Sequence, residues 1–484
     1  MGIITIVGLG PGASRYLTRE AWEVLMSADE VWLRTERHPT VAELPSHLVL
    51  HSFDCLYEEA ANFQRVYEAL ADEVLQLGRR PEGVIYAVPG HPLVGESTVK
   101  LILERAEEIG LSTHIVEGLS FIEPVLTVLR LDALSGLQIC DGVELATHYH
   151  PPFSSDQPVL VGQLYSRTIA ADVKLTLMNQ YPDDHEVVLI HAAGTSARRI
   201  VRLPLFELDH RYCAHLTSLY IPPLVGVTSF EGLQDTVAHL RAPEGCPWDQ
   251  EQTHESLREG LLEEAYEVVA TIDAGDLLAL QEELGDLLLQ ILLHAQIATE
   301  TGEFKATSVV EGIDAKLKHR HPHVWGERQV DGTEDVLRRW EELKQEEKTR
   351  ERSVLDGVPK ALPALQQADT YSRRVARVGF DWAKASGVVG KVREEIAELE
   401  AAVTQEEREA ELGDLLHAVV NWSRWLDVNP ETALRQANAR FADRFRGVER
   451  IARERELDIA SLTIDDLEAL WQEVKESSAS TKAA

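Results

Sequence analysis

Residues 261–295 read LLEEAYEVVATIDAGDLLALQEELGDLLLQILLHA and indicate the architecture of the C-terminal half of this chain. Their apolar residues recur three and four positions apart, which is the spacing of amphipathic helices. Asp273-Ala274-Gly275 interrupts this periodicity with residue types that are common in turns. The stretch therefore predicts two helices that are joined by a short turn and pack antiparallel to each other.

The same stretch places four carboxylates on the two predicted helices. Glu264 and Glu267 are three residues apart, as are Glu283 and Asp286, so each pair lies on one helix face. No Lys or Arg occurs within residues 260–300. Four like charges beside apolar side chains repel one another and lose hydration, which is unfavourable. Because Mg²⁺ prefers carboxylate and phosphate oxygens, the pattern predicts a metal site.

A second copy of this pattern lies in residues 392–425, which read VREEIAELEAAVTQEEREAELGDLLHAVVNWSRW. EExxE is again followed by ELGDLL, although here Lys391 and Arg408 are close enough in sequence to pair with neighbouring Glu residues. A single EExxE is typical of a solvent-exposed helix face. Two copies with similar spacing instead favour a duplicated metal-binding module.

These motifs resemble those of the MazG family of nucleoside triphosphate pyrophosphohydrolases, which are all-α enzymes with EExxE and ExxD motifs. Cys246–Leu257 (CPWDQEQTHESL) and Lys318–Gly326 (KHRHPHVWG) resemble the first module of that family, and Asn438–Glu449 (NARFADRFRGVE) resembles its second. The resemblance covers residues 241–475. It implies an enzyme that uses Mg²⁺ to hydrolyse a nucleoside triphosphate between its α- and β-phosphates, giving a nucleoside monophosphate and pyrophosphate.

The resemblance also implies the metal ligands, which are Glu264, Glu267, Glu283, Asp286, Glu395, Glu398, Glu411 and Asp414. Of these, Glu395 and Glu398 are the catalytic candidates, because a glutamate of the cluster can take the proton of an attacking water. Cations can offset the charge of a triphosphate, and polar or aromatic groups can hold the sugar and base. The substrate-binding candidates are Trp248, Lys316, Lys318, Arg320, Trp382, Asn421, Asn438, Arg440 and Arg444. For the two tryptophans, packing in a core or an interface is an equally open interpretation.

Two differences favour the second repeat as the place where most hydrolysis occurs. Asn421 follows Asp414 by two helical turns and can hydrogen-bond a sugar or base, whereas the corresponding Leu293 cannot. Arg440 and Arg444 are four residues apart on one predicted helix face, an arrangement suited to a triphosphate. We therefore expect the first repeat to be mainly structural or regulatory.

Residues 1 to about 220 follow another pattern, in which strand-like apolar runs alternate with helical segments. The runs include Ile3–Gly10 (IITIVGLG), Gly83–Gly90 (GVIYAVPG) and Glu186–Gly194 (EVVLIHAAG). This alternation predicts an α/β domain. The loop Val7–Gly12 (VGLGPG) permits a tight turn and close approach to a ligand, but on its own it is a weak nucleotide-binding signal.

Several of these segments resemble the tetrapyrrole methylase family, whose α/β subdomains bind S-adenosylmethionine in a cleft. The matching pieces are GLGPG with Leu17–Val31, AVPGHPLVGEST at Ala87–Thr98, VEGLSF at Val116–Phe121 and IHAAG at Ile190–Gly194. By position in these loops, the resemblance implies cofactor contacts at Leu9, Gly90, Val94, Ser120 and Phe121. Many members carry Asp where this chain has His91, so the resemblance does not determine the identity of the methyl acceptor. The whole arrangement resembles the YabN-type fusion proteins.

Composition limits the partners of the chain. Its 47 Lys and Arg against 81 Asp and Glu give a net charge of −34, which opposes broad binding to nucleic acid polymers or anionic membranes. No apolar run reaches the roughly 18 residues of a membrane span. Four scattered cysteines favour a reduced, cytoplasmic protein.

We predict four segments in the 484 residues: a methylase-like domain over 1–222, a first MazG-like module over 241–350, a second over 360–475 and a disordered tail over 476–484. Thr236–Leu240 is interpreted as a connecting turn. Apolar residues on more than one face of each hairpin predict a homodimer, or an internal pseudo-dimer, formed by the helical half. The leading hypothesis is a pyrophosphohydrolase fused to a methyltransferase-like domain. In the alternative, the N-terminal domain senses a ligand without methyl transfer and regulates hydrolysis.

Overall fold

The computed structural model describes residues 2–59, 63–326, 330–333, 335–336, 339–340 and 353–482. The chain divides into two compact units, residues 1–312 and residues 313–484. The first unit contains an α/β region and the first carboxylate repeat, and the second unit contains the second repeat. This confirms the predicted fold class, an N-terminal α/β domain followed by all-α tandem modules.

The first sheet of the α/β region is entirely parallel, in the order β3-β2-β4-β1-β5. Its elements in chain order are β1 (Ile3–Gly8), α1 (Arg19–Ser27), β2 (Glu30–Leu33), β3 (Val49–Ser52), α2 (Asp54–Glu59), α3 (Phe63–Gly78), β4 (Val84–Val88), α4 (Ser97–Glu108) and β5 (Ser112–Val116). Helices cover the sheet, so central residues such as Ile4, Ile6 and Val7 are fully buried. The carboxyl ends of parallel strands share one edge, where ligands bind in open α/β sheets.

The second sheet is mixed, with the order β6-β7-β10-β8-β9 and one parallel pair, β6 with β7. Its elements are α5 (Ile122–Leu129), β6 (Gln138–Asp141), α6 (Gly142–Leu145), β7 (Val159–Gly162), α7 (Arg167–Leu177), β8 (Glu186–His191), β9 (Arg199–Pro204) and β10 (Thr217–Ile221). Val159, Val161 and Leu219 form its core together with α7. The α/β region thus consists of two subdomains, each built around its own sheet.

The first helical repeat forms the predicted hairpin. Its helices are α8 (Phe230–Arg241), α9 (Pro247–Glu251), α10 (Arg258–Ala274), α11 (Leu277–Thr301), α12 (Ala306–Arg320) and α13 (Pro322–Trp325). α10 ends before Gly275, whose φ of 69° is left-handed and therefore suits glycine. The side chain of Asp276 then accepts the N–H groups of Leu278 and Ala279 and caps α11.

The interpretation of Thr236–Leu240 as a connecting turn was wrong, because this segment belongs to α8. The hydroxyl of Ser229 accepts the N–H of Gly232 at 3.0 Å and caps the helix. Leu233 and Val237 are one turn apart and pack against Leu292 and Leu293 of α11. Packing against α11 therefore stabilises α8, although the apolar pattern of α8 itself is short.

The second repeat contains α14 (Ala364–Arg377), α15 (Ala385–Ala401), α16 (Gln405–Trp425), α17 (Pro430–Glu454) and α18 (Ile464–Lys482). Helices α15 and α16 reproduce the hairpin, and a capping box of Thr404 and Glu407 begins α16. The prediction of disorder from residue 476 was wrong up to residue 482. Leu470 and Val474 anchor α18 in a core with α17, and an established helix extends at little cost. Residues 483–484 lie outside the described residues.

Short 3₁₀ segments occur at Ser14–Tyr16, Pro39–Glu43, Ala133–Ser135, Leu205–His210 and Ile459–Ser461. Within the described residues, no helix combines the length and apolar character that crossing a membrane requires.

Candidate functional site

The first hairpin gathers the carboxylates of the first repeat. Glu264, Glu267 and Glu283 each offer a carboxylate oxygen, and these oxygens lie within 4.8 Å of one another. Loss of hydration and repulsion from Asp286 and Glu267 raise the pKa of Glu264. Loss of hydration and repulsion from Glu267 and Asp286 likewise raise the pKa of Glu283. All four predicted carboxylates therefore act on one another electrostatically.

The first cluster carries uncompensated negative charge. In the part of the chain that the structure describes, none of its four carboxylates forms an ion pair with Lys or Arg. Its donors are all oxygen atoms, which is the ligand set that Mg²⁺ prefers. A divalent cation at this place would relieve the repulsion that raises the two pKa values.

The second hairpin brings together Glu395, Glu411 and Asp414, whose nearest carboxylate oxygens again lie within 4.8 Å of one another. Glu395 is only 4% exposed. Loss of hydration raises the pKa of Glu398, with repulsion from Glu395 and Glu411 acting in the same direction and the charge of Lys391 acting against it. The second cluster thus has the same four carboxylates in a different electrostatic setting.

Lys391 makes that difference. Its Nζ lies 2.8 Å from a carboxylate oxygen of Glu395 and 2.7 Å from one of Glu394. Hydrogen bonds to these two carboxylates raise the pKa of Lys391, so its ammonium group stays charged. The second cluster therefore contains a cation, Lys391. The sequence alone showed only that Lys391 is close enough to pair with a neighbouring Glu.

The substrate-binding candidates near the first repeat have mixed surroundings. Trp248 of α9 is 64% exposed, so its ring is available to a ligand. Lys316 is exposed, and Lys318 is paired with Asp314 at 2.9 Å. The guanidinium of Arg320 lies over the ring of Trp340, 5.5 Å from its centroid.

Asn421 and Trp382 of the second repeat both have protein neighbours. The carboxamide oxygen of Asn421 accepts a hydrogen bond from Arg424 at 3.1 Å, and Arg424 also pairs with Asp381. Trp382 lies against Gly387, where a Cβ atom would be 2.8 Å from the indole ring. Asn421 would have to offer its amide nitrogen to a ligand, or exchange its present partner.

The remaining candidates of the second repeat lie along α17. Asn438 and Arg440 are exposed. Arg444 is half-buried, and its guanidinium lies 5.8 Å from the ring centroid of Trp471. Both arginines therefore remain on a helix that also carries Asn438, as the spacing predicted.

A cavity of about 550 Å³ lies between the two subdomains of the α/β region. Gly90, Val94 and Phe121, three of the implied cofactor contacts, line it. Leu9 is buried in the core, and its backbone bonds Val88 and Thr40. The N–H and hydroxyl of Ser120 both donate to Glu123. Leu9 and Ser120 therefore lie in the loops that shape the cavity.

Close backbone contacts fix these loops. Gly10 and Gly90 exchange two backbone hydrogen bonds, of 3.2 and 2.8 Å. A Cβ atom on Gly118 would lie 2.4 Å from the carbonyl oxygen of Gly90, so no larger residue fits there. On the opposite wall, Gln163 and Ala192 adopt positive φ values of 59° and 51°. Such strained non-glycine residues cluster at functional sites.

Three polar residues of this cavity were missed by the sequence analysis. Arg34 Nη1 donates to Glu96 Oε1 at 2.8 Å, whereas Glu96 Oε2 is buried without a partner. His38 Nδ1 is also buried without a partner. Burial raises the pKa of Glu96 to about 7, and burial, together with the charge of His215, lowers the pKa of His38 to about 4. Arg34 and His38 follow β2. Their position after the carboxyl end of a parallel strand was the feature of the sequence that could have identified them.

His91 stands where many tetrapyrrole methylases carry Asp. Its Nδ1 accepts the N–H of Leu93 at 3.0 Å, within its own turn. The ring thus stabilises the loop between β4 and α4.

Comparison with known proteins relates the α/β region and the first helical repeat to two different families. Residues 4–209 match the family described as Tetrapyrrole (Corrin/Porphyrin) Methylases, and residues 252–325 match the MazG nucleotide pyrophosphohydrolase domain. The nucleoside triphosphate pyrophosphohydrolase of Escherichia coli K12 is 42% identical over 257 residues, which cover 51% of this chain and 98% of that protein. The uroporphyrin-III C-methyltransferase of Thermus thermophilus covers 46% of this chain and 94% of its own, with 19% identity and a TM-score of 0.36.

The fold and the matched regions define a fusion of a tetrapyrrole methylase domain with MazG modules. YabN of Bacillus subtilis strain 168, described as an uncharacterized protein, is 41% identical over 98% of this chain and 99% of its own length. The chain belongs to this YabN-type family of fusion proteins.

Proposed function

We propose that the helical half is a metal-dependent nucleoside triphosphate pyrophosphohydrolase. The two carboxylate clusters carry this proposal, because oxygen-only ligand sets on paired helices suit Mg²⁺ and the phosphates it binds. The relationship to the E. coli enzyme supports the same substrate class. The products are a nucleoside monophosphate and pyrophosphate.

We assign a separate role to each group of residues in this site. The carboxylates at positions 264, 267, 283 and 286, and those at 395, 398, 411 and 414, hold the metal. When bound, Mg²⁺ neutralises triphosphate charge and lowers the pKa of water. A glutamate of the second cluster, Glu395 or Glu398, takes the proton of the attacking water. Arg440 and Arg444 bind the phosphates, and Trp382 and Asn421 contact the base or sugar.

We assign most of the turnover to the second repeat, where Asn421, Arg440 and Arg444 supply groups for a nucleotide. The ion pair of Lys391 with Glu395 opposes metal binding at this repeat, since the metal must displace it. Hydrolysis therefore requires enough Mg²⁺ to compete with Lys391.

The activity is tested by incubating the full chain with each common ribo- and deoxyribonucleoside triphosphate, with and without Mg²⁺, and identifying the products. We expect monophosphate and pyrophosphate in equal amounts, and no products after chelation of the metal. Release of diphosphate and inorganic phosphate, or turnover that persists without metal, would contradict the proposal.

For the α/β domain we propose S-adenosylmethionine binding in the cavity between its subdomains. The support is the cavity of about 550 Å³ and the presence of Gly90, Val94 and Phe121 in its wall. Calorimetry should detect binding to the wild-type chain and not to Gly90→Trp. Gly90 has a φ of 68°, so its variant is also checked for folding by circular dichroism.

A regulatory role is the second candidate for this domain, since His91 replaces the usual Asp. If S-adenosylmethionine binds and changes the rate of pyrophosphate release while no methyl group leaves it, the domain is a sensor. If labelled methyl appears on another molecule, the domain is a methyltransferase.

We further propose that the protein works in the cytoplasm as a homodimer formed through the helical half. All four cysteines are free thiols, which suits a reducing compartment. Large apolar side chains of the first hairpin are exposed, among them Leu277 at 77% and Leu278 at 82%. Light scattering coupled to gel filtration should give twice the chain mass of 54.0 kDa. A monomer at micromolar concentration would overturn the dimer.

A further inference from the structure

A chain of polar contacts in the second repeat connects the loop between α14 and α15 to helix α16. Asp381 of that loop pairs with the guanidinium of Arg424, and Arg424 Nε donates to Asn421 Oδ1 at 3.1 Å. The side chains of Arg424 and Asp381 are only 15% and 24% exposed, so solvent screens their pairing weakly. The carboxamide of Asn421 is therefore held by a neighbour that is itself held.

The guanidinium of Arg424 is fixed from three sides. Besides Asp381 and Asn421, it contacts Trp425, with its central carbon 5.6 Å from the ring centroid. Loss of hydration acts to raise the pKa of Asp381, but hydrogen bonds from Arg424 and from the N–H of Trp382 outweigh it and lower this pKa. Asp381 consequently stays charged and keeps Arg424 in place.

This chain determines which end of the Asn421 carboxamide is available to a ligand. A guanidinium has only donors, so the atom of Asn421 that faces Arg424 must be the oxygen. Among the described residues, Arg424 is the only hydrogen-bond partner of the Asn421 side chain, and the NH₂ group of Asn421 is open to solvent. Asn421 thus offers N–H donors to a ligand, whereas its oxygen is already engaged.

Asn421 lies where a nucleotide held at the carboxylate cluster would extend. It follows Asp414 by seven residues, so both lie on one face of α16, about 10 Å apart along the helix axis. Trp382, the candidate for stacking on the base, follows Asp381 in the chain. A nucleoside triphosphate with its phosphates at the cluster can therefore bring the edge of its base to Asn421.

We propose that Asn421, oriented by Arg424 and Asp381, makes the second repeat prefer nucleoside triphosphates whose base carries a carbonyl oxygen at C4 of a pyrimidine or C6 of a purine. This inference rests on the proposed pyrophosphohydrolase activity. Uracil, thymine, guanine and hypoxanthine carry that oxygen, which accepts an N–H of Asn421, whereas cytosine and adenine carry an amino group there. Two donors that face each other lose their hydrogen bonds to water without gaining one in return. Arg424 and Asp381 are positioning residues, since they act through Asn421.

The first repeat has other residues at these places. Counted from the aspartate of each ExxD motif, Leu293 takes the place of Asn421 and Gln296 that of Arg424. Leu293 is 3% exposed, and Gln296 donates to Glu300 at 3.0 Å. The base preference therefore belongs to the second repeat, and Leu is the matched substitution for testing it.

Two matched pairs of substrates test the inference with the full chain and Mg²⁺. Inosine and adenosine triphosphate differ at the C6 edge of the purine, and uridine and cytidine triphosphate differ at the C4 edge of the pyrimidine. We expect kcat/KM for pyrophosphate release to be about tenfold higher for the carbonyl member of each pair, which is the effect of one net hydrogen bond. Equal values, or a preference for the amino member, in either pair overturn the inference.

Three variants test whether these residues cause the preference. Asn421→Leu should bring the ratio of kcat/KM within each pair close to one. Arg424→Met removes the donor that orients the carboxamide, so the amide can turn and the ratio should fall although Asn421 is present. Arg446→Met is the control and should keep the wild-type ratio, because Arg446 is 73% exposed on α17 and pairs with Asp443. A purely structural Arg424 would lower kcat/KM for all four substrates by the same factor.

The outcomes separate this inference from the proposed function. If wild type hydrolyses none of the four substrates, the proposed function fails and this inference fails with it. If wild type hydrolyses them and the ratio survives in Asn421→Leu, the preference arises elsewhere, which overturns the inference and leaves the proposed function intact. Circular dichroism checks the fold of Arg424→Met, and if that variant unfolds, Asn421→Leu decides by itself.

Discussion

One lysine distinguishes the two carboxylate clusters at the scale of single residues. The first cluster has no ion-pair partner among the described residues, whereas Lys391 holds Glu395 at 2.8 Å in the second. The same ligand set is therefore neutralised by metal alone in one repeat and by metal or lysine in the other. This arrangement predicts different metal affinities in the two clusters.

Replacing Lys391 by Met should tighten Mn²⁺ binding at the second cluster about tenfold, because the metal no longer competes with an ammonium group. The side chain of Lys391 is 36% exposed, so solvent screening keeps this effect modest. Electron paramagnetic resonance counts free Mn²⁺ in a titration. Lys384→Met is the control, since Lys384 is exposed at the start of the same helix. Equal affinities of Lys391→Met and wild type would show that Lys391 does not compete with metal.

The acidity of Glu264 and Glu283 predicts how pH affects the metal-free protein. Their pKa values are raised above 4.5 in the fold, so the folded state binds protons more readily than the unfolded chain. Stability from this source is present at low pH and is lost as the pH rises through the raised pKa values. With chelator, the melting temperature of Glu267→Gln should fall less than that of wild type between pH 5 and about pH 7. If the melting temperatures of both proteins fall equally, repulsion within the cluster is not the cause of the pH dependence.

At the scale of elements, the hairpin of the first repeat was predictable because Gly275 and Asp276 mark its turn locally. Helix α8 was not, since it depends on contacts with α11, some fifty residues away. The pair of Arg34 and Glu96 in the cavity wall was missed for the same reason. Arg34 and Glu96 are far apart in sequence and meet only because β2 and β4 are neighbours in the sheet.

The packing of α8 on α11 predicts the effect of Val237→Ala. Val237 is 1% exposed, so losing two methyl groups should lower the free energy of unfolding by about 2 kcal/mol. Chemical denaturation followed by circular dichroism measures this change. Thr236→Ala, at the exposed neighbouring position, should stay close to wild type. A Val237→Ala variant as stable as wild type would mean that α8 does not contribute to this core.

At the scale of the whole molecule, the chain joins domains of two families in one acidic protein. The net charge of −34 leaves phosphate binding to local cations and metal. The change of periodicity predicted two kinds of domain, and the resemblance of the carboxylate motifs implied the nucleoside triphosphate substrate class. The exact domain boundaries remain predictions, as do the individual site residues.

The predicted boundary near residue 222 specifies where a protease should cut first. Residues 222–228 precede α8, and Val225 and Val227 are 99% and 60% exposed. Limited proteolysis should cleave there and leave two stable fragments, which mass spectrometry identifies. Early cleavage scattered through both halves would contradict separate folding units.

Pyrophosphate release by two matched variants tests the central claim most directly. Glu398→Gln and Glu267→Gln each remove one carboxylate from one cluster, and Glu400→Gln alters an exposed residue of α15 as a control. We predict that wild type and Glu400→Gln hydrolyse nucleoside triphosphates with Mg²⁺, and that Glu398→Gln is slower by about a hundredfold because a metal ligand is lost. Glu267→Gln should keep most of its activity. Loss of activity in Glu267→Gln with full activity in Glu398→Gln would assign catalysis to the first repeat, and no effect of either variant would contradict the carboxylate clusters as the active sites.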